Sequence, residues 1–165
     1  MAYEGLMVQQ NPNMGRAVWL DVESESDEKW SHLEGEVCFE KVLELLAWKR
    51  KDIYIITPFR HVAQSLRQRF RKERRRLQEA GIQNPSHWIT QSIGTVHTFQ
   101  GRQAEYVFFV LGAQGEDEQG ARDWATRKVN LCNVAVSRAQ IGLFVIGNKK
   151  LWANQGVMRF IASRL

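Results

Sequence analysis

Two short segments contain the residue types that proteins use to hold phosphate groups. Residues 94–102 read G-T-V-H-T-F-Q-G-R, and residues 133–139 read N-V-A-V-S-R-A. Hydroxyls, amides and a closely approaching glycine backbone can hydrogen-bond phosphate oxygens, and arginine can neutralise their charge. The sequence has no G-x-x-x-x-G-K-[ST] segment, the loop that cradles nucleotide phosphates. The two segments therefore predict part of a nucleotide site that another domain completes.

A run of positive charge is a second candidate for binding. Seven cations oppose one anion, Glu73, over residues 67–76: Arg67, Arg69, Arg71, Lys72, Arg74, Arg75 and Arg76. Such a surface suits the backbone of a single-stranded nucleic acid, and Arg74 and Arg75 are our candidates for that contact. The run is equally typical of a solvated helix face whose arginine stems cover the edge of the core. Contact with another domain is a third possibility.

Composition narrows the class of protein. The 165 residues carry a net charge of +5, which favours a polyanionic partner only weakly. The two cysteines, Cys38 and Cys132, lie in apolar patterns without zinc-ligand spacing, so we expect reduced thiols in the core. The acidic residues 116–118 lie in a glycine-flanked loop beyond a strand, so we expect a loop there and no metal site in this chain.

The sequence predicts neither a membrane span nor a secretory signal. No apolar run approaches the roughly eighteen residues that a membrane span needs. The first residues, Met1 to Glu4, lack the basic start and apolar block of a signal peptide. We therefore expect an intracellular protein, in the cytoplasm, nucleus or nucleoid, with no membrane partner.

The elements that must position these segments alternate between strands and helices. Short apolar runs predict five strands, at residues 17–22, 53–56, 93–96, 106–111 and 142–146. Helices are predicted from Ser31, with a capping box to Glu34, from 61 to 80, and from 126 to 139. Gly81 and Pro85 are expected to close the second of these. The chain after Asn148 is also expected to be helical.

This alternation predicts an α/β fold with a parallel sheet covered by helices on both faces. Residues 1–16 are expected to form a loose N-terminal arm, and residues 17–165 one domain. Ligands of such sheets bind at the carboxyl ends of the strands, and we expect the candidate residues to lie there.

Three segments together resemble the second motor domain of superfamily 1 helicases, in the branch that includes the helicase of nonsense-mediated mRNA decay. The resemblance covers residues 31–149. The segment I-I-T-P-F-R over residues 55–60 looks like motif IV, residues 95–102 like motif V, and residues 133–139 like motif VI. The resemblance implies a RecA-like domain, a three-layer α/β sandwich that lacks its own P-loop.

The family's site residues map onto this sequence by motif. Arg138 of motif VI matches the arginine finger that reaches across to the nucleotide. Gln100, Gly101 and Arg102 of motif V match residues that face the nucleotide, and Gln103 stands where the family usually has a ribose-binding glutamate. The nucleotide implied is ATP with Mg²⁺, shared with an upstream P-loop domain of the same polypeptide.

The same resemblance implies contacts with a single strand of DNA or RNA. Thr57 and Pro58 in motif IV and Thr95 in motif V match positions that face the nucleic-acid backbone. Small hydroxyls suit a motor that grips phosphates without reading bases. The isolated chain is not expected to hydrolyse ATP, since it lacks the P-loop and the magnesium carboxylates.

Other functions remain open at the level of sequence. Gln103 departs from the family glutamate, and Gln140 replaces the lysine or arginine that commonly follows motif VI. Together with the basic run, they favour a nucleic-acid-binding or regulatory module with a degenerate helicase fold. A small-molecule site at the sheet edge is a weaker alternative, since no glycine-rich cofactor fingerprint is present.

Overall fold

The structure, a computed structural model, describes residues 16–99, 101–127 and 129–163. Five strands form one sheet: β1 (Arg16–Asp21), β2 (Ile53–Thr57), β3 (Ile93–Thr95), β4 (Ala104–Val110) and β5 (Ala139–Gly147). All pairings are parallel, and the order across the sheet is β1-β5-β4-β2-β3. The five predicted strands and the parallel sheet are confirmed. Of the predicted N-terminal arm only Arg16, which begins β1, is among the described residues.

The helices that the structure describes are α1 (His32–Ala47), α2 (Arg60–Arg71), α3 (Arg74–Glu79), α4 (Pro85–Ser92), α5 (Gln119–Arg127), α6 (Val129–Ser137), α7 (Lys149–Trp152) and α8 (Gly156–Ala162). Two short 3-10 helices, Val96–Phe99 and Glu116–Glu118, lie in the connections. None of the described helices is long and apolar enough to cross a membrane.

The helices cover both faces of the sheet. The connections through α1 to α4 cross the sheet in one direction, and those through α5 and α6 cross it in the other. Because parallel crossovers are right-handed, the two groups must lie on opposite faces. Contacts agree: α2 packs against α1 and α4, whereas α5, α6 and α8 pack against one another. The fold is therefore the predicted three-layer RecA-like sandwich.

The sheet supplies the centre of the core. Phe108 of β4 and Phe144 of β5 stack with ring centroids 4.7 Å apart. Cys38 and Cys132 are fully buried free thiols, as predicted. Burial raises the pKa of both, that of Cys132 to about 12. Both thiols are therefore protonated at neutral pH and pack as small apolar groups.

The prediction of a single helix over residues 61–80 is wrong, because the structure has two helices there, α2 and α3. The chain breaks between α2 and α3, where Glu73 has a non-helical backbone. Glu73 lies 3.4 Å from Arg69 and 3.9 Å from Arg76, so it joins the ends of the two helices by ion pairs. The break lies in the most positively charged segment of the chain, where the Glu73 carboxylate offsets the repulsion between the arginines on its two sides.

Two further helix predictions need correction. Pro85 was expected to end a helix but begins α4, where a missing N–H costs nothing and Asn84 caps the helix by accepting from the His87 N–H. The predicted helix over 126–139 begins earlier, since α5 starts at Gln119, and α6 ends at Ser137 because Ala139 already pairs in β5.

Candidate functional site

The predicted nucleotide-facing residues lie at the amino-terminal edge of the sheet. Ala104 at the start of β4 pairs with Ala139 at the start of β5, and the Ala104 N–H donates to the Arg138 carbonyl at 3.0 Å. Arg102, Gln103 and Arg138 directly precede these strands. The expectation that Arg102, which follows β3 in the chain, lies at the carboxyl edge is therefore wrong. Since β3 and β4 are parallel, the chain between them must return to the amino edge, and it carries Arg102 and Gln103 there.

Arg138 lies at the junction between α6 and β5. Its Nε donates to the Val134 carbonyl at 3.1 Å, and its Nη1 donates to the Arg102 carbonyl at 3.3 Å. The cation thus lies at the negative end of α6 and also ties it to the segment before β4. A guanidinium has five N–H donors, so donors remain for an anion. Among the described residues, no carboxylate forms an ion pair with Arg138.

Gly101 and Arg102 form the turn that leads into β4. Gly101 has φ +76° and is exposed, and a Cβ at this position would meet nothing within 4 Å. Glycine is thus needed for the backbone angle rather than for space. The Arg102 guanidinium lies 5.3 Å from the centre of the Tyr54 ring and 5.8 Å from that of Phe99. Gln100, the fourth predicted nucleotide residue, lies outside the described residues.

The two departures from the family pattern contact each other. Nε2 of Gln140 donates to Oε1 of Gln103 at 3.3 Å, and both side chains are exposed. The helicase pattern has glutamate at the first of these positions and lysine or arginine at the second. The two glutamines instead link the starts of β4 and β5 through uncharged amides.

The predicted strand-binding residues lie at the opposite, carboxyl edge. Thr57 and Thr95, the last residues of β2 and β3, are direct partners in the sheet. Thr57 and Pro58 are buried, and the Thr57 hydroxyl accepts from the Phe59 N–H at 3.4 Å. Thr95 is half-buried. Thr57 and Pro58 thus shape the start of α2, and among these three only Thr95 presents surface.

The basic run divides into anchored and exposed residues. Arg69 and Arg76 lie 4.8 and 5.1 Å from the centre of the Phe39 ring and pair with Glu36 and Glu40 of α1. Arg67 donates to the Ile93 carbonyl at 2.9 Å. The remaining four cations are exposed and form no salt bridge within the described part of the chain: Arg71, Lys72, Arg74 and Arg75.

The structure does not bring the basic run to the carboxyl edge. Helix α2 starts next to Thr57 and runs back across the sheet for twelve residues, a length of about 18 Å at the usual helical rise. Arg74 and Arg75 follow its far end. Arg74 and Arg75 therefore lie on a surface separate from Thr57, Pro58 and Thr95, the other residues predicted to contact a nucleic acid.

A buried polar network at the carboxyl edge escaped the sequence analysis. Oε1 of Glu34 accepts from the Gly112 N–H at 2.8 Å, and Oε2 accepts from Nε2 of Gln114 at 2.5 Å. Ser31 caps α1 as predicted, but the Glu34 side chain does not complete the capping box. Burial raises the pKa of Glu34 to about 7, although these hydrogen bonds oppose the rise. Its position four residues before Cys38, on the buried face of α1, was the available signal.

The acidic segment after β4 is structural. Glu118 accepts from the Gly115 N–H at 3.0 Å and stabilises the turn before α5, while Glu116 and Asp117 are exposed. Within residues 16–99, 101–127 and 129–163, no cluster of three His, Cys, Asp or Glu side chains could hold a metal ion.

The sheet order and the two helical layers define a RecA-like α/β domain, and its sequence contains no P-loop segment. Residues 7–150 match the family model AAA_12, described as an AAA domain, and the chain belongs to this family, which makes it a helicase-type domain. No curated protein matches the chain.

Proposed function

We propose that the chain is the second motor domain of an ATP-dependent superfamily 1 helicase, related to the helicase of nonsense-mediated decay. The observation that carries this proposal is the position of Arg138. It follows α6 directly, its main chain bonds to the start of β4, and no carboxylate of the described residues neutralises it. A cation at the rim of a domain, next to a glycine turn, suits an anion that arrives from outside.

In this proposal Arg138 acts as the arginine finger. Its planar guanidinium neutralises negative charge on the phosphoryl group during transfer, and such fingers contribute roughly 10³ to 10⁵ in rate. The two present bonds of Arg138, to the Val134 and Arg102 carbonyls, orient the side chain at the edge. Arg138 is therefore positioned by α6 and by the motif V turn together.

The segment from Gln100 to Gln103 is the second part of the proposed nucleotide site. The exposed Gly101 backbone leaves room for close approach, and the exposed Arg102 and Gln103 offer donors beside it. ATP with Mg²⁺ would be held mainly by the P-loop domain of the same polypeptide, because this sequence has neither the P-loop nor the carboxylates for the metal.

A single strand of DNA or RNA is the proposed second partner, at the opposite edge. Thr95 offers a half-buried hydroxyl there, and Thr57 and Pro58 support the adjoining turn. Nucleotide and strand would thus meet the domain at opposite ends of the same strands. In such an arrangement, movement of the whole domain on the nucleotide also moves the strand contacts.

One observation favours a second function, a regulatory or nucleic-acid-binding module that no longer drives a motor. The hydrogen bond between Gln103 and Gln140 replaces two charges of the family pattern beside the nucleotide-facing turn. This module would bind nucleic acid but would not need Arg138.

The two functions differ in strand-stimulated ATPase activity. The test joins this chain to a superfamily 1 P-loop domain and compares wild type with Arg138→Ala. We expect the variant to lose at least 10³-fold in rate. Arg159→Ala is the matched control, since Arg159 is an exposed arginine of α8 that bonds the Asn154 carbonyl. Equal rates for wild type and R138A would contradict the motor function and support the regulatory one.

A further inference from the structure

Next to the start of α2, at the carboxyl edge, lies an open pocket of about 390 Å³ lined by aromatic and basic side chains. Its size is within the range of about 300–1,000 Å³ usual for ligand sites. Trp124 of α5 and Phe59 form one wall, with ring centroids 6.2 Å apart and planes inclined by 32°. Trp124 is 42% exposed, so part of its side chain is accessible from the pocket.

Three basic side chains surround these rings. The Lys29 ammonium lies 5.7 Å from the centre of the Phe59 ring, and Arg60 and His61 line the same pocket. Arg60 is exposed, and His61 lies 3.6 Å from the carboxylate of Glu28. The pocket thus combines a stackable aromatic face with cations at its rim.

Lys29 is held at the pocket by a backbone conformation that L-residues rarely adopt. Glu28 and Lys29 have φ +47° and +73°, in a two-residue turn closed by hydrogen bonds between Asp27 and Trp30. Such turns usually contain Asn or Gly. The Lys29 carbonyl accepts from the Ala113 N–H at 2.9 Å, and a Cβ on Gly112 would lie 2.3 Å from this oxygen. Strain of this kind concentrates at functional sites, where it fixes a side chain in position.

We propose that this pocket, defined by Lys29, Phe59, Arg60, His61 and Trp124, binds one nucleobase of a single-stranded nucleic acid. The base stacks on Trp124, and the adjoining phosphates meet Lys29 and Arg60. The charge of the rim and the aromatic face together match a base with its phosphates, the combination found in proteins that bind single strands without sequence preference. The proposal rests on the strand-binding part of the proposed function, and it adds a base contact to the backbone contacts at Thr95.

The pocket is tested by the binding of a labelled single-stranded oligothymidylate to the whole chain. Trp124→Ala is expected to weaken binding by about 5- to 150-fold, the usual effect of losing one stacked base. Trp48→Ala is the matched control, because Trp48 is 51% exposed and lies at the end of α1 outside the pocket. Trp124→Phe keeps an aromatic face and should bind more tightly than Trp124→Ala.

An abasic strand of the same length separates stacking from charge. Wild type and W124A should bind this strand equally. The double variant Lys29→Gln/Arg60→Gln should flatten the dependence of affinity on salt, by about 0.7 for each lost phosphate contact, whereas W124A should leave the slope unchanged.

Two results would overturn the proposal. In the first, W124A binds oligothymidylate as tightly as wild type does. In the second, W124A loses as much affinity for the abasic strand as it loses for oligothymidylate. If W124A instead weakens only the association with the P-loop domain, the pocket is a protein interface and the proposal is wrong. Any of these results, with R138A still inactive in the joined protein, leaves the proposed motor function intact. A wild-type chain that binds no strand would contradict this pocket and the proposed strand track alike.

Discussion

Gln103 and Gln140, two residues that differ from the helicase pattern, contact each other through their uncharged side chains. Each departs from the helicase pattern, and neither position predicts the other from sequence. The parallel pairing of β4 with β5 places them side by side, with 3.3 Å between amide nitrogen and oxygen. The two positions without charge therefore belong to one contact.

Restoring both charges should stabilise the domain more than either single change. We expect the double variant Gln103→Glu/Gln140→Lys to show a favourable coupling of about 0.2–1 kcal/mol, the usual range for an exposed ion pair. Urea unfolding of wild type, both single variants and the double variant measures this coupling as a double-mutant cycle. The coupling should shrink in high salt. A coupling of zero at low salt would show that the two side chains do not meet.

Arg138 shows which properties of a single residue the sequence can predict and which it cannot. Its motif predicts its identity as the candidate finger, but not that it lies at the amino edge of the sheet beside Arg102. The edge depends on the return of the chain between two parallel strands, a long-range constraint that no local pattern contains. Similarly, the burial of Thr57 depends on elements far away in the sequence.

The break between α2 and α3 sets the roles of the basic residues at the scale of elements. Arg69 and Arg76, on either side of it, lie over Phe39 and pair with carboxylates of α1. The hydrogen bond from Arg69 lowers the pKa of Glu36 below its usual value. These two arginines therefore hold α1 to the segment, whereas Arg74 and Arg75 are exposed to solvent.

This division predicts opposite effects of neutralising arginines within one segment. Arg74→Gln/Arg75→Gln should lower the salt dependence of single-strand binding by up to about 1.4, about 0.7 for each phosphate, with thermal stability unchanged. Arg69→Gln should instead cost roughly 1–3 kcal/mol of stability, because it removes hydrogen bonds to a charged group. Titrations at several salt concentrations, with thermal unfolding of each variant, measure both quantities. An unchanged slope for the first variant would exclude these phosphate contacts.

The elements were predicted well where their patterns are strong. All five strands follow from short apolar runs, because a sheet buried on both faces needs them. The helices failed at their ends: Pro85 begins a helix rather than closing one, and Glu73 interrupts a continuous pattern. Both errors concern helix ends that are set by capping and by ion pairs. Hydrophobic periodicity does not predict either of these interactions.

At the scale of the whole molecule, Glu34 couples the fold to pH. Its carboxyl group is fully buried between α1 and the loop after β4, and its pKa is about 7 rather than 4.5. A folded-state pKa above the unfolded one means that the folded protein binds the extra proton. The stabilisation of the folded state by protonated Glu34 is complete below pH 4.5, and it is lost as pH rises to about 7.

The contribution of Glu34 to the free energy of unfolding should fall by about 3 kcal/mol between pH 4.5 and 7. Glu34→Gln cannot titrate, so its free energy of unfolding should depend less steeply on pH between 4.5 and 7 than that of wild type. Urea unfolding at several pH values measures the difference, and the histidines, common to both proteins, cancel in it. Parallel pH profiles for the two proteins would show that Glu34 does not titrate with a raised pKa.

The two candidate surfaces of the domain lie at opposite edges of the sheet, so the length of the strands separates them. The proposed nucleotide residues lie at the amino edge, and the proposed strand contacts at Thr95 and Trp124 lie at the carboxyl edge. The central claim is that Arg138, at the amino edge, stabilises phosphoryl transfer at a site that a second domain begins.

Single-turnover hydrolysis of ATP by the chain joined to a P-loop domain, with the affinity for ATP measured in parallel, tests this claim most directly. We predict that Arg138→Ala lowers the rate of the chemical step by at least 10³-fold while affinity changes little, and that Arg138→Lys does not restore the rate, since an ammonium lacks the planar fork. A chemical step unchanged in R138A, or a loss explained wholly by weaker ATP binding, would contradict the claim.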